Sequence, residues 1–109
     1  MKYGNIRIIS GGKIFDSKLE QRRYDMLKLL ERAGYITALK HHEKFILIEK
    51  SKYGREIYYE ADFTYYEKGA FVVEDCKCEA TKTPLYKLKK RLLAEKYGYL
   101  IKEITCEDF

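Results

Sequence analysis

Residues 58–77 read YYEADFTYYEKGAFVVEDCK, and this stretch decides the fold. Tyr, Phe, Thr and Val dominate it, which are residues that suit a pleated, half-buried strand. Lys68-Gly69 interrupts the run and reads as a tight turn, so the segment predicts an antiparallel hairpin. Its first strand extends back to Glu56 and runs to Tyr66, and its second runs from Ala70 to Cys78. A turn centred between Lys68 and Gly69 sets Asp62 directly opposite Asp75, with Cβ atoms roughly 4.5–5.5 Å apart. A three-residue loop centred on Lys68 pairs Asp62 with Glu74 instead, and both registers are open at this point. In the first register Lys77, two residues beyond Asp75, projects from the same face, while Glu74 points to the other face and is structural. Two facing carboxylates destabilise a sheet unless something positive lies between them. Hard oxygen donors at such a spot suit Mg²⁺ or Mn²⁺ better than zinc.

Outward from the hairpin, the chain alternates between helix and strand signals. Ser17-Lys18-Leu19-Glu20 fits a capping box, with Ser17 as N-cap and Glu20 three residues on. Leu19, Arg23, Met26, Leu27, Leu30 and Ala33 then recur at helical spacing, and Gly34 stands where a helix-ending glycine belongs. Strands are expected at Tyr35–Leu39 and Phe45–Glu49, with a turn about Tyr53-Gly54. Thr83-Pro84 opens a second helix that Gly98 closes, with Leu85, Leu88, Leu92 and Leu93 along its inner side. Tyr99–Ile104 is a last strand, and Ile6–Ile9 and Lys13–Phe15 form a short N-terminal hairpin turning at Ser10-Gly11-Gly12. The expected fold is α/β, a small mixed sheet with an antiparallel hairpin core flanked by two helices. At 109 residues the chain makes one domain over 1–109, with residues 1–15 as an N-terminal arm.

Composition narrows the function. Apolar residues are 46% and charged ones 36%, which fits a globular protein and not a disordered tail. No apolar run is long enough to span a bilayer and no signal-peptide block opens the chain, so a cytoplasmic location is expected. Three cysteines are an odd number and read as reduced thiols. The net charge of +5 resides in Lys82–Lys96, where six basic residues face one acid, whereas Glu56–Asp75 carries six acids against one lysine. A basic segment beside an acidic one suits binding a polyanion and holding a cation, the alternative being ordinary solvated surface.

Asp62, twelve intervening residues, then Asp75-Cys76-Lys77 resembles the D…(D/E)-x-K motif of the PD-(D/E)XK nuclease superfamily. The segments GGKIFDSKLEQRRY, YYEADFTYYEKGAFVVEDCK and TPLYKLKKRLL resemble, more closely, a group of small phage-encoded proteins compared with Holliday junction resolvases. The resemblance covers Tyr3 to Ile104 and implies a restriction endonuclease-like core. It casts Asp62 and Asp75 as metal ligands, Lys77 as the residue that orients or helps deprotonate the attacking water, and Glu20 as a further ligand. The Cys76 carbonyl adds another. It implies a Mg²⁺- or Mn²⁺-dependent endonuclease acting on branched DNA in phage replication or recombination, in the host cytoplasm. Two-sided cleavage of a junction implies a homodimer. A duplex or flap endonuclease, or a DNA-binding module without chemistry, is the alternative. One departure is Cys78, where relatives often carry a small residue such as glycine.

On the second helix Lys87, Lys90 and Arg91 fall opposite Leu85, Leu88 and Leu92, and with Lys82 they form a basic stripe for DNA phosphates, or else a solvated face. Lys89 lies within the leucine side and either snorkels or reaches the carboxylates as an active-site cation. The tyrosines read mostly as packing, with Tyr65, Tyr66 and Tyr86 as residues that could touch DNA. Cys76-Lys77-Cys78 matches no common zinc spacing, and His41-His42 supply ligands only if the fold brings them over. Glu20 also has a purely structural reading as the capping-box acid. Asp75 and Lys77 have one as a surface ion pair.

Overall fold

In a computed structural model of the protein, residues 17–78 and 81–105 are described, together with the backbone of strands β1 (Ile8–Ser10) and β2 (Lys13–Phe15). These two pair antiparallel, Ser10 opposite Lys13, as the predicted N-terminal hairpin requires. Residues 1–7 and the turn glycines lie outside the described residues. Helix α1 (Lys18–Arg32) starts where the capping box predicts, the Ser17 hydroxyl accepting the Glu20 N–H at 3.1 Å. It ends at Gly34, whose φ of +86° lets the Tyr35 N–H fold back to the Leu30 carbonyl at 2.9 Å.

Strands β3 (Ile36–His41), β6 (Phe63–Glu67), β7 (Ala70–Cys76) and β8 (Ile101–Ile104) form a four-stranded sheet in the order β3-β6-β7-β8. The β6–β7 hairpin turns between Lys68 and Gly69: Glu67 pairs with Ala70 and Phe63 with Glu74. That register continues to put Asp62 opposite Asp75, and the alternative pairing of Asp62 with Glu74 is ruled out. Helix α2 (Pro84–Tyr97), capped by Thr83 and closed by Gly98, carries the chain to β8, which lies parallel to β7 with Asp75 opposite Glu103. The protein is thus mixed α/β, with a small sheet and two helices.

The strand expected over 56–66 is two strands. β5 (Ile57–Glu60) pairs with β4 (Lys44–Ile48) in a separate two-stranded sheet, and β6 begins only at Phe63. Both chains bend together at this corner. The Ala61 N–H bonds to the Glu43 carbonyl at 2.9 Å and the His42 N–H to the Asp62 carbonyl at 3.1 Å, while His42 takes a φ of +63°. A second irregularity precedes it: between Thr37 and Lys40 two residues of β3, Ala38 and Leu39, face one of β6, Tyr65, and Ala38 sits at φ +55°. This bulge switches the faces of the strand, so that His41 lands on the side that Ile36 faces.

Strand alternation divides the interior in two. Leu27, Ile36, Phe63 and Tyr65 pack under α1, whereas Val73, Ile101, Leu93, Tyr86, Tyr59, Ala61, Phe45 and Leu47 pack between the sheet, α2 and the β4–β5 hairpin. The inner side of α2 differs from the leucine stripe expected. Tyr86 and Leu93 are buried, while Leu85 and Leu88 are 59% and 54% exposed. The leucines do share one side, but the buried face is rotated to the edge of that stripe, where Leu93 and Tyr86 lie. The Tyr86 hydroxyl, which bonds to Glu103 at 2.7 Å, fixes the rotation. Among the described residues no helix is long and apolar enough to cross a membrane.

On the α1 side Glu74 is fully buried and is held by Arg23, with Nε to Oε1 at 2.8 Å and Nη2 to Oε2 at 2.6 Å, and by the Tyr65 hydroxyl. This two-pronged contact raises the Arg23 pKa further above its usual value against the opposing effect of burial. Tyr65 is therefore a buried clamp on Glu74 and is not available to DNA. Replacing Arg23 with Ala strands a buried carboxylate, and urea unfolding should show a loss of roughly 3–5 kcal/mol.

Candidate functional site

The other face of β7 carries different chemistry. Asp75 is buried, its Oδ2 accepting the Tyr59 hydroxyl at 2.6 Å and its Oδ1 lying 3.4 Å from Lys77 Nζ. The lysine shares the face because it is two residues on, and its backbone is held by an N–H bond to the Ile104 carbonyl of β8 at 2.9 Å. Its ammonium also rests over the Tyr86 ring, 4.4 Å from the centroid. With side chains only 5% and 18% exposed, Asp75 and Lys77 are no surface ion pair.

Asp62 completes the group. The corner between β5 and β6 turns its carboxyl to β7, where Oδ2 accepts the Cys76 N–H at 2.7 Å. Burial pushes the Asp62 pKa well above the ordinary aspartate value. Asp75, close enough to share a hydrogen bond with it, pushes the same way, as does the charge of Glu20, and the Cys76 N–H only partly offsets them. Both carboxyls open onto a cleft of about 410 Å³ whose walls include Tyr58, Lys77, Tyr86 and Lys89. Glu20 is almost wholly buried, and its Oε2 lies 3.2 Å from His41 Nε2 and 2.9 Å from His42 Nε2. It is more than a cap. The two histidines are the site residues that the spacing of motifs did not reveal, because only the bulge and the φ at His42 bring them over.

Asp62 and Asp75 give a pair of hard oxygen donors, and Glu20 stands within electrostatic reach. Two acids whose joint ionisation is resisted by burial fit a divalent cation, which removes that resistance. The neighbouring Cys76 thiol is pushed far above its usual pKa by burial and the surrounding acids, which disfavours both a nucleophilic cysteine and a thiolate ligand.

Over residues 1–107 the sequence matches the family model described as "Protein of unknown function (DUF1064)". The chain belongs to the DUF1064 family. No curated protein and no solved structure matched it.

The basic residues of this DUF1064 protein divide into three groups. Lys82 and Lys90 converge on Glu103, at 3.4 and 3.2 Å, and with the Tyr86 hydroxyl hold that carboxyl below its usual pKa although burial opposes them. Lys87 and Arg91 are exposed on α2, Arg91 lying 3.3 Å from Glu95. Lys89 lies on the cleft wall, 5.6 Å from the Tyr58 ring centroid, on the same side as the carboxylates.

The Asp62 shift fixes a dependence on pH. A carboxyl whose folded pKa is raised favours the folded state below the unfolded aspartate value, and that advantage is lost as pH rises toward the folded value. In EDTA, wild-type protein should therefore melt at a lower temperature at pH 8 than at pH 5. Asp62→Asn should flatten this trend and melt higher than wild type at pH 8, as read by circular dichroism.

Proposed function

We propose that this protein is a metal-dependent endonuclease of PD-(D/E)XK type that hydrolyses phosphodiester bonds in DNA, with branched DNA such as a Holliday junction as its substrate. The observation that carries this reading is the meeting of half-buried Asp62 and buried Asp75 with Lys77 at the wall of an open cleft. The motif resemblance supports it from the sequence side, and implies a phage setting in a host cytoplasm.

Hydrolysis of a phosphodiester requires an oxygen nucleophile in line with the leaving oxygen and relief of charge on the phosphate. Asp62, Asp75 and the Cys76 carbonyl, with Glu20 as a further ligand through water, would hold Mg²⁺ or Mn²⁺, which would supply a polarised water and charge relief there. Lys77, anchored between Asp75 and the Tyr86 ring, presents its ammonium where the attacking water is oriented and negative charge develops. The Tyr59 hydroxyl fixes the Asp75 carboxylate from behind. Lys89 on the cleft wall and the exposed Lys87 and Arg91 give the incoming backbone its electrostatic contacts, whereas Lys82 and Lys90 are engaged by Glu103.

The test is end-labelled four-way junction beside matched linear duplex, with Mg²⁺ or EDTA. Paired Mg²⁺-dependent nicks in the junction alone are expected, from a protein that is a dimer by light scattering. Lys77→Ala should lower the rate by about 10²–10³-fold while junction binding persists. Equal cutting of both substrates makes the protein a general duplex or flap nuclease. Binding without cutting, under Mn²⁺ as well, makes it a non-catalytic module.

A further inference from the structure

Two consecutive strand residues ordinarily point to opposite faces. His41 and His42 do not: their rings stack with centroids 3.7 Å apart, and both Nε2 atoms approach the same Glu20 oxygen. Two departures from regular backbone are needed to achieve this. The bulge at Ala38 puts His41 on the α1 side, and the φ of +63° at His42 swings the next ring to the same place. A left-handed conformation at a non-glycine residue is uncommon and persists where the surrounding structure enforces it. Phe63 stacks on His41 with centroids 5.3 Å apart, and Tyr24 lies 5.9 Å away, so the group rests on an aromatic floor.

We propose that Glu20, His41 and His42 form a second cation site, of one carboxylate and two imidazole donors, which takes a borderline divalent ion such as Zn²⁺ in preference to Mg²⁺. The potential ligand atoms of the three residues all lie within 4.8 Å of one another. Ligands at about 2.0–2.2 Å from one tetrahedral ion stand about 3.3 Å apart, so the observed separations of 2.9 and 3.2 Å need little adjustment. The side chains are 2%, 8% and 29% exposed in the order Glu20, His41, His42, so an ion enters past His42 and three protein ligands leave a fourth position to water. Imidazole nitrogen suits zinc and its neighbours, whereas Mg²⁺ demands an octahedron of oxygens. The imidazoles separate this site chemically from the all-oxygen pair at Asp62 and Asp75, with Glu20, whose charge reaches Asp62, standing between the two. It does not depend on whether the protein cleaves DNA.

His41 and His42 are the only histidines in the chain, so any imidazole signal from tag-free protein belongs to them. Long-range ¹H–¹⁵N spectra of wild-type protein at neutral pH should show both Nε2 resonances moving to ligated positions on adding Zn²⁺, complete at one equivalent. Mg²⁺ should move neither. The shifts should persist in the double variant Asp62→Asn/Asp75→Asn, while Glu20→Gln should weaken Zn²⁺ at least roughly tenfold. Imidazole resonances that stay put under stoichiometric Zn²⁺ would overturn the proposal and leave the histidines as hydrogen-bond partners of Glu20. So would shifts lost in the Asp62/Asp75 variant, provided its amide spectrum shows it folded. Zinc-induced shifts in a protein that cuts no DNA would sink the nuclease reading alone.

Discussion

A carboxylate leaves water only where a cation, a donor or a proton meets it, and β7 buries two carboxylates in succession. Strand alternation sends them to opposite sides. Glu74 meets a guanidinium and a phenol under α1, and its charge is fully answered there. Asp75 meets a phenol, a lysine and a second acid, and its surroundings are left with more negative charge than the group can comfortably hold. One strand thereby ties α1 to the sheet with one side chain and lines an acidic pocket with the next. The structural pair and the chemical pair share a backbone, so the geometry of the pocket is as firm as the tie.

Much of this arrangement is legible from local chemistry. A two-residue turn at Lys68-Gly69 sets the register, and that register together with the corner before Phe63 brings Asp62 to Asp75 with Lys77 beside it. Ser17 and Gly34 delimit α1 because each satisfies end groups that nothing else nearby could. What is hidden is whatever depends on an irregular backbone. The corner at Ala61-Asp62 falls within Glu60-Ala61-Asp62, three residues of low strand propensity, but the tyrosine-rich runs on either side make the segment read as one strand. The bulge at Ala38 occurs in a residue with no special preference for positive φ, and the convergence of both histidines on Glu20 follows from it.

Charge was readable in amount and not in direction. The basic helix is evident in the sequence, but the parallel pairing of β8 with β7 brings Glu103 up beside α2, and no local pattern announces that. Glu103 then gathers Lys82, Lys90 and Tyr86 into one cluster, which pins the start of α2 against the sheet. Lys89 on the cleft wall and the exposed Lys87 lie outside this cluster.

The β4–β5 hairpin closes through an exposed turn in which Ser51 and Gly54 bridge each other, remote in the ladder from the corner at His42. The two ends of this hairpin therefore tolerate changes in chain length very differently. Residues added at Tyr53 lengthen a loop and leave every side chain on its own face. Straightening the strand between Thr37 and Lys40 with its residue count unchanged would set Lys40 opposite Phe63 and send His41 to the other face, whereas removing the one extra residue leaves His41 opposite Phe63. Chains that keep Glu20 paired with the histidines can thus drift freely in length at the hairpin tip, while the segment from Thr37 to Lys40 has to keep its bulge or lose the bulge and the extra residue together.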